Sequence, residues 1–159
     1  MTHKLRAGLA AAIMLWGAAS APAQSPGAVI DRIDAAGLRA LVSALGDEIT
    51  NEMVTDDGQP VITASSGDLN YLVAGTVCEN GQCQGLLTEL IFTNSSATLE
   101  VANDLNQNYA AIKVVILEDG SVVFSRYDVV DGGTTLGALS ASVDTLLAIV
   151  GAVIEGSQE

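Results

Sequence analysis

Apolar residues recur every three or four positions in two segments of the chain, and this spacing predicts two amphipathic helices. The first segment lies between Asp34, a good N-cap, and Gly46, a residue that favours a helix end. The second covers 136–153, close to the end of the sequence. A shorter helix is predicted from Thr98 to about Asn106, because threonine is also a good N-cap.

Short apolar runs separated by turn residues lie between these helices and predict β-strands. The predicted strands, the first of them the weakest, are 47–54, 61–63, 69–77, a strand containing 86–92, 109–117 and 122–129. The order is helix, four strands, helix, two strands, helix. Because neighbouring strands join through short turns, we predict one α+β domain with a mainly antiparallel sheet.

Asn80-Gly81 predicts a two-residue hairpin turn, since both residues tolerate the positive φ that a type I′ turn requires. This register places Cys78 opposite Cys83, close enough for a disulfide, and puts both on the face opposite the core. A redox-active or metal-binding pair is the alternative, but the spacing is not Cys-x-x-Cys and a cation that would lower a thiol pKa is not near in sequence.

Asp119-Gly120 predicts a second hairpin whose two faces are both apolar. A two-residue loop would place Ile112, Val114 and Ile116 on a face with Val123 and Tyr127, and four other apolar residues on the opposite face. We expect one face to be covered by helices and consider the other a candidate partner-binding strip, extended by the apolar last helix; cover by the chain's own helices on both faces is the alternative. The candidate partner-binding residues are Val115, Leu117, Val122, Phe124, Leu146 and Val150.

The first residues resemble a secretory signal. Lys4 and Arg6 precede an apolar run from Leu9 to Ala19, and Ala21-Pro22-Ala23 resembles a cleavage site. We expect residues 1–23 to be removed, leaving a flexible start at 24–32, a domain at 33–155 and a tail at 156–159. The apolar run is too short for the alternative, an uncleaved anchor. The expected location is periplasmic or secreted.

The charge of the remaining chain excludes several classes of function. The remaining chain has four basic and 19 acidic residues, so it would repel a nucleic-acid backbone. The single histidine, His3, lies in the predicted signal, so the remainder lacks an imidazole for a catalytic dyad or a metal site. We therefore expect neither a cofactor nor a metal, and no stable membrane insertion after cleavage.

Asn103 and Asn106 are three residues apart and fall on one side of the predicted helix. Their amides could hold the backbone of a bound peptide. The alternative is that they close the helix end and bind the following loop, a common role of asparagine.

Several local patterns together resemble the YbjN family of bacterial sensory transduction regulators. They are Asp57-Gly58-Gln59-Pro60, Asn103-Asp104-Leu105-Asn106, the Asp119-Gly120 hairpin and the Asp131-Gly132-Gly133 break before the last helix. The resemblance covers roughly 33–153 and implies a fold similar to that of type III secretion chaperones, without catalytic residues. The sequence differs in having Leu105 where the family usually has tryptophan.

These observations predict an exported, non-enzymatic module that binds a protein or peptide as an adaptor, chaperone-like or regulatory domain. Homodimerisation through the same apolar surface is a secondary prediction. Two alternatives are a small hydrolase or lyase that works through carboxylates and an acidic cation-binding surface protein. A deep pocket with converging acids would favour the enzyme, and a flat or grooved apolar patch would favour the binding module.

Overall fold

The computed structural model of the chain describes residues 27–93 and 95–156. The predicted signal sequence at 1–23 lies outside the described residues. In chain order the elements are β1 (Val29–Ile30), α1 (Ala35–Leu45), β2 (Glu48–Val54), β3 (Pro60–Ser66), β4 (Leu69–Glu79), β5 (Gln82–Phe92), α2 (Leu99–Asn108), β6 (Lys113–Ile116), β7 (Val122–Val129), β8 (Thr134–Thr135) and α3 (Leu136–Gly156).

The main sheet has six strands in the order β2-β3-β4-β5-β7-β6, and every neighbouring pair is antiparallel. The predicted α+β class and the order of helices and strands are therefore confirmed, including the strand at 48–54 that had the weakest signal. The short strands β1 and β8 also pair antiparallel. Part of the segment expected to be a flexible start thus forms a strand.

Local capping explains where the helices begin and end. The Asp34 carboxylate accepts a hydrogen bond from the Gly37 backbone N–H at 2.8 Å, and Gly46 ends α1 with a φ of 79°. The Thr98 hydroxyl accepts a hydrogen bond from the Val101 N–H at the start of α2. Helix α2 continues to Asn108, two residues beyond its predicted end.

The core lies between one face of the sheet and the helices. Leu38 and Leu41 of α1, Leu86 and Leu90 of β5, and Leu146 of α3 belong to one buried apolar cluster. All these side chains are fully buried. Each stabilises the fold by about 1.5–3 kcal/mol relative to an exposed position.

The first hairpin has the predicted register, with Glu79 opposite Gln82 and Cys78 disulfide-bonded to Cys83. The predicted orientation of the pair is wrong. Val77 has a φ of 52°, which is rare for a β-branched residue and interrupts the alternation of the strand. Val77 is consequently 61% exposed, and Cys83 turns into the core, where its backbone pairs with Ile33.

The second hairpin differs from its predicted register by one residue. The loop contains three residues, since the Gly120 N–H bonds the Leu117 carbonyl and the Leu117 N–H bonds the Ser121 carbonyl. Gly120 has a φ of 81°, as expected for a type I turn followed by a bulge. Val114 therefore pairs with Phe124 and Ile116 with Val122, and the predicted faces are exchanged along one strand.

Candidate protein-interaction surface

One face of the six-stranded sheet is not covered by the helices of the described residues. Because successive side chains of a strand point to opposite sides, each strand contributes to both faces. The helix-covered side supplies the buried core cluster, and the apolar side chains of the other side do not belong to that cluster. We call this second side the open face; its apolar members are Met53, Val61, Leu72, Ala74, Leu87, Ile91, Val115, Val123, Tyr127 and Val129.

A continuous apolar row crosses five strands of the open face. The pairing brings together, in order, Met53, Val61, Ala74, Leu87 and Tyr127. Met53 and Tyr127 at its ends are 53% and 51% exposed, whereas Ala74 between them is buried by its neighbours in the sheet. Directly opposed side chains of this kind stabilise the strand pairing and present one connected apolar surface.

Tyr127 lies flat on this surface because Gly85 leaves room for it. A Cβ atom at Gly85 would collide with the Tyr127 hydroxyl and ring. The Thr76 hydroxyl donates to the Tyr127 hydroxyl oxygen at 3.4 Å across the same glycine. The aromatic ring is therefore held against the sheet with half of its surface accessible.

Glu89 lies in the middle of the open face, between Leu72 on one neighbouring strand and Ser125 on the other. Lys113 pairs with Ser125 at the edge of the sheet and is exposed. Burial raises the pKa of Glu89, because its apolar surroundings disfavour the charged form. A basic group placed over this carboxylate would lower the free-energy cost of its ionisation.

The structure does not bring the six predicted partner-binding residues together. Val122 and Phe124 are buried on the helix-covered side, and Leu146 and Val150 of α3 are fully buried in the same core. Val115 lies on the open face. Leu117 is 45% exposed at the hairpin turn.

Sequence reasoning missed most of the open face, although one signal for it was present. Strand β5 has adjacent apolar pairs, Leu86-Leu87 and Leu90-Ile91, whose members must point to opposite sides. An antiparallel strand with one solvated face normally alternates apolar and polar residues. The pairs thus indicated that both faces of this central strand are apolar.

Asn106 closes one edge of the sheet instead of holding a foreign peptide. Its side-chain amide donates to the Val114 carbonyl at 2.9 Å and accepts from the Val114 N–H at 2.8 Å. The amide thus takes the position of a neighbouring strand along β6. Asn103, the other residue of the predicted pair, is exposed.

A polar cleft lies between β7 and α3. The Arg126 guanidinium donates to the Ser142 hydroxyl and to the Ala111 carbonyl, and the Ser142 hydroxyl donates to the Asp128 carboxylate. Arg126 and Asp128 also form an ion pair at 3.5 Å. The lining of this cleft contains one carboxylate, and that carboxylate is bound to its neighbours. Such a cleft does not have the converging acids of a carboxylate-dependent hydrolase.

Within 27–93 and 95–156, no group of three or more histidine, cysteine, aspartate or glutamate side chains could hold a metal ion.

In the same part of the chain, α3 is long and apolar enough to cross a membrane. Seven of its residues are buried in the folded domain, as expected for a core helix. The absence of membrane insertion stays a prediction.

The YbjN family model, described as "Putative bacterial sensory transduction regulator", matches residues 34–159. Searches of curated proteins and of solved structures found no match to this chain.

Proposed function

The chain belongs to the YbjN family, and from this premise we propose that it is a regulatory module that binds a protein partner on the open face of its sheet. The family description is that of a regulator and not of an enzyme. The apolar row across five strands carries the proposal, because a broad apolar surface of this kind is typical of protein interaction sites.

The partner has an apolar patch and a basic side chain that lies over Glu89. Apolar contact with Leu87 and its neighbours supplies most of the binding energy, since these side chains leave water when the partner docks. Glu89 adds selectivity, because its partly desolvated carboxylate favours a partner that supplies a positive charge. The net charge of −13 also favours encounter with basic proteins and disfavours acidic ones.

A second copy of the chain is a weaker candidate for this surface. Without residues 1–23, each copy would carry 19 acidic residues against four basic ones, and the long-range repulsion between two copies opposes association. Homodimerisation through the open face is therefore an alternative outcome of the experiment below, and we expect a different protein to occupy the surface.

We place this function outside the cytoplasm. The basic start, short apolar run and Ala21-Pro22-Ala23 site support export, and the Cys78–Cys83 disulfide supports it independently because disulfides persist in oxidising compartments. The mass of the chain recovered from a periplasmic extract is expected to lack the first 23 residues. Recovery of the unprocessed chain from the cytoplasm would contradict export.

The docking surface can be tested by site-specific photocrosslinking in cells that express the full chain. A photoreactive residue at Leu87 or Ile91, on the open face, should give one common crosslinked protein, whereas the same residue at Thr145 of α3 should not. The crosslinked protein is then purified and titrated with the wild-type chain and with Leu87→Asp. We expect binding to weaken at least about thirtyfold, as for a central interface residue.

Leu99→Asp is the matched control, since Leu99 is 75% exposed on α2, away from the open face. It should change the affinity less than about twofold. A crosslinked product that contains only a second copy of the chain would replace the proposal by homodimerisation. Equal affinity of Leu87→Asp and wild type would place the partner on another surface.

A further inference from the structure

We infer that the domain has a second binding site, for a small neutral apolar molecule, in the cleft between α2 and the helix-covered side of the sheet. The cleft has a volume of about 310 Å³. It is separate from the open face, and the inference does not depend on the proposed function.

The walls of the cleft come mainly from the sheet and α2, with further residues from α3 and the loop at 95–97. The sheet supplies Phe92 and Phe124, whose rings meet edge to face with centroids 5.8 Å apart, together with Val114. Helix α2 supplies Ala102 and Leu105. Because these walls are apolar and much of the lining belongs to the sheet and α2, an apolar molecule would be bound by a largely preformed surface.

The size of the cleft limits the ligand. An apolar cavity of about 150 Å³ in a protein accepts one benzene molecule, so a cleft of twice that volume accepts about twelve carbon atoms. A medium-length alkyl chain or a two-ring aromatic molecule fits this limit.

The residues that line the cleft limit the charge that a ligand can carry. Among the residues that the structure describes, the polar side chains of the cleft are the hydroxyls of Ser95 and Ser96, and none of its lining residues is ionisable. A charged ligand group would be desolvated there without a counter-charge. The net charge of −13 further disfavours anionic amphiphiles such as fatty acids. We therefore assign the site to neutral molecules.

The cleft and the open face lie on opposite sides of the same strands. Val114 and Phe124 line the cleft, and the residues next to them in sequence, Val115 and Val123, point to the open face. Helix α2 is held to the same edge by the two hydrogen bonds of Asn106. A bound molecule would therefore contact the strands that the protein partner contacts from the other side.

The test uses the neutral fluorescent probe N-phenyl-1-naphthylamine, with 1-decanol as a competitor, and the intact oxidised chain. We expect saturable binding of the probe that 1-decanol reverses. Ala102→Leu fills the cleft from α2 and should weaken probe binding at least about tenfold, because less of the probe can be buried. Val153→Phe fills it from α3 and provides a second variant in case Ala102→Leu disturbs the packing of α2.

Ala148→Leu is the matched control, because Ala148 is exposed on α3 and does not line the cleft. It should keep the wild-type affinity within about twofold. Two results would overturn the inference: no saturable binding up to the solubility limit of the probe, or equal binding by wild type, Ala102→Leu and Val153→Phe. Neither result would affect crosslinking at Leu87, so this site and the partner surface are tested separately.

Discussion

The two faces of the six-stranded sheet carry similar side chains but differ in what covers them. On one face, Leu86 and Leu90 are fully buried in the core that also contains residues of α1 and α3. On the other face, Leu87 and Ile91 occupy the next positions of the same strand and remain partly accessible. The same strand thus takes part in the core on one side and in a candidate binding surface on the other.

This difference separates two reasons for which an apolar residue is present. A residue of the covered face stabilises the folded chain, because folding removes it from water and packs it tightly. The exposed residues of the open face, such as Ile91 and Tyr127, gain less from folding alone, since about half of each side chain stays in contact with water. Such a side chain is removed from water only when another molecule covers the face, so it contributes more to binding than to folding. For this reason the open face and not the core carries the proposed function.

The largest effect is expected from a matched pair of substitutions in β5. Leu86→Ala leaves a cavity under the helices and should lower the free energy of unfolding by about 2–5 kcal/mol. Leu87→Ala truncates a partly exposed side chain beside it and should cost less than about 1 kcal/mol. Urea unfolding of the oxidised chain, with both midpoint and slope fitted, measures the two values.

The pair is informative because both variants remove the same atoms from adjacent positions. Equal losses of stability would mean that the open face is packed as tightly as the core. That result would remove the physical basis for a binding surface at Leu87.

Two tyrosines on opposite faces give a second, smaller contrast. Tyr71 is buried on the covered face and donates to the Asp47 carboxylate at 2.7 Å, whereas the Tyr127 hydroxyl on the open face lies 3.4 Å from that of Thr76. Tyr71→Phe should cost about 1.5–3 kcal/mol, because a hydrogen bond to a charged group is lost. Tyr127→Phe should change stability by less than about 0.5 kcal/mol.

The pH dependence checks the role of Tyr71. Burial, followed by the hydrogen bond from its hydroxyl to Asp47, raises the pKa of Tyr71, so its contribution is present below the ordinary tyrosine pKa of about 10 and is lost as the pH rises further. The difference between wild type and Tyr71→Phe should therefore shrink above about pH 10. A constant difference across this range would assign the loss to packing and not to the hydrogen bond.

Much of the fold could be predicted from local sequence signals. The Asp34 and Thr98 caps, the Gly46 helix end and the Asn80-Gly81 turn each act over a few residues, and the structure contains all four. These signals work because capping and turn formation depend on backbone groups next to the residue itself.

The candidate site could not be predicted in the same way, because it depends on register. The Asp119-Gly120 hairpin has a three-residue loop instead of a two-residue loop, and this single residue moves Val122 and Phe124 from the predicted surface into the core. Both loops are compatible with an Asp-Gly sequence. The positive φ of Val77, which turns Cys83 inwards, has no local sequence signal either, since valine disfavours that conformation.

The smallest expected effect concerns the one carboxylate in the middle of the open face. Burial raises the pKa of Glu89, so its ionisation destabilises the folded chain relative to the unfolded one. The wild type therefore loses stability as the pH rises from about 4, the ordinary glutamate range, through the raised pKa of Glu89 in the folded state. Glu89→Gln lacks this loss and should raise the melting temperature at pH 7 by about 1–3 °C, with a smaller gain at pH 4. Glu118→Gln, in an exposed turn, is the control and should show no comparable difference between the two pH values.

Glu89→Gln should also weaken the protein partner's binding at pH 7, because the partner's basic group then faces an uncharged amide. A variant that is more stable when free and binds less tightly would separate the two roles of the open face, whereas a variant that is unchanged in both would show that Glu89 is solvated and takes no part in recognition.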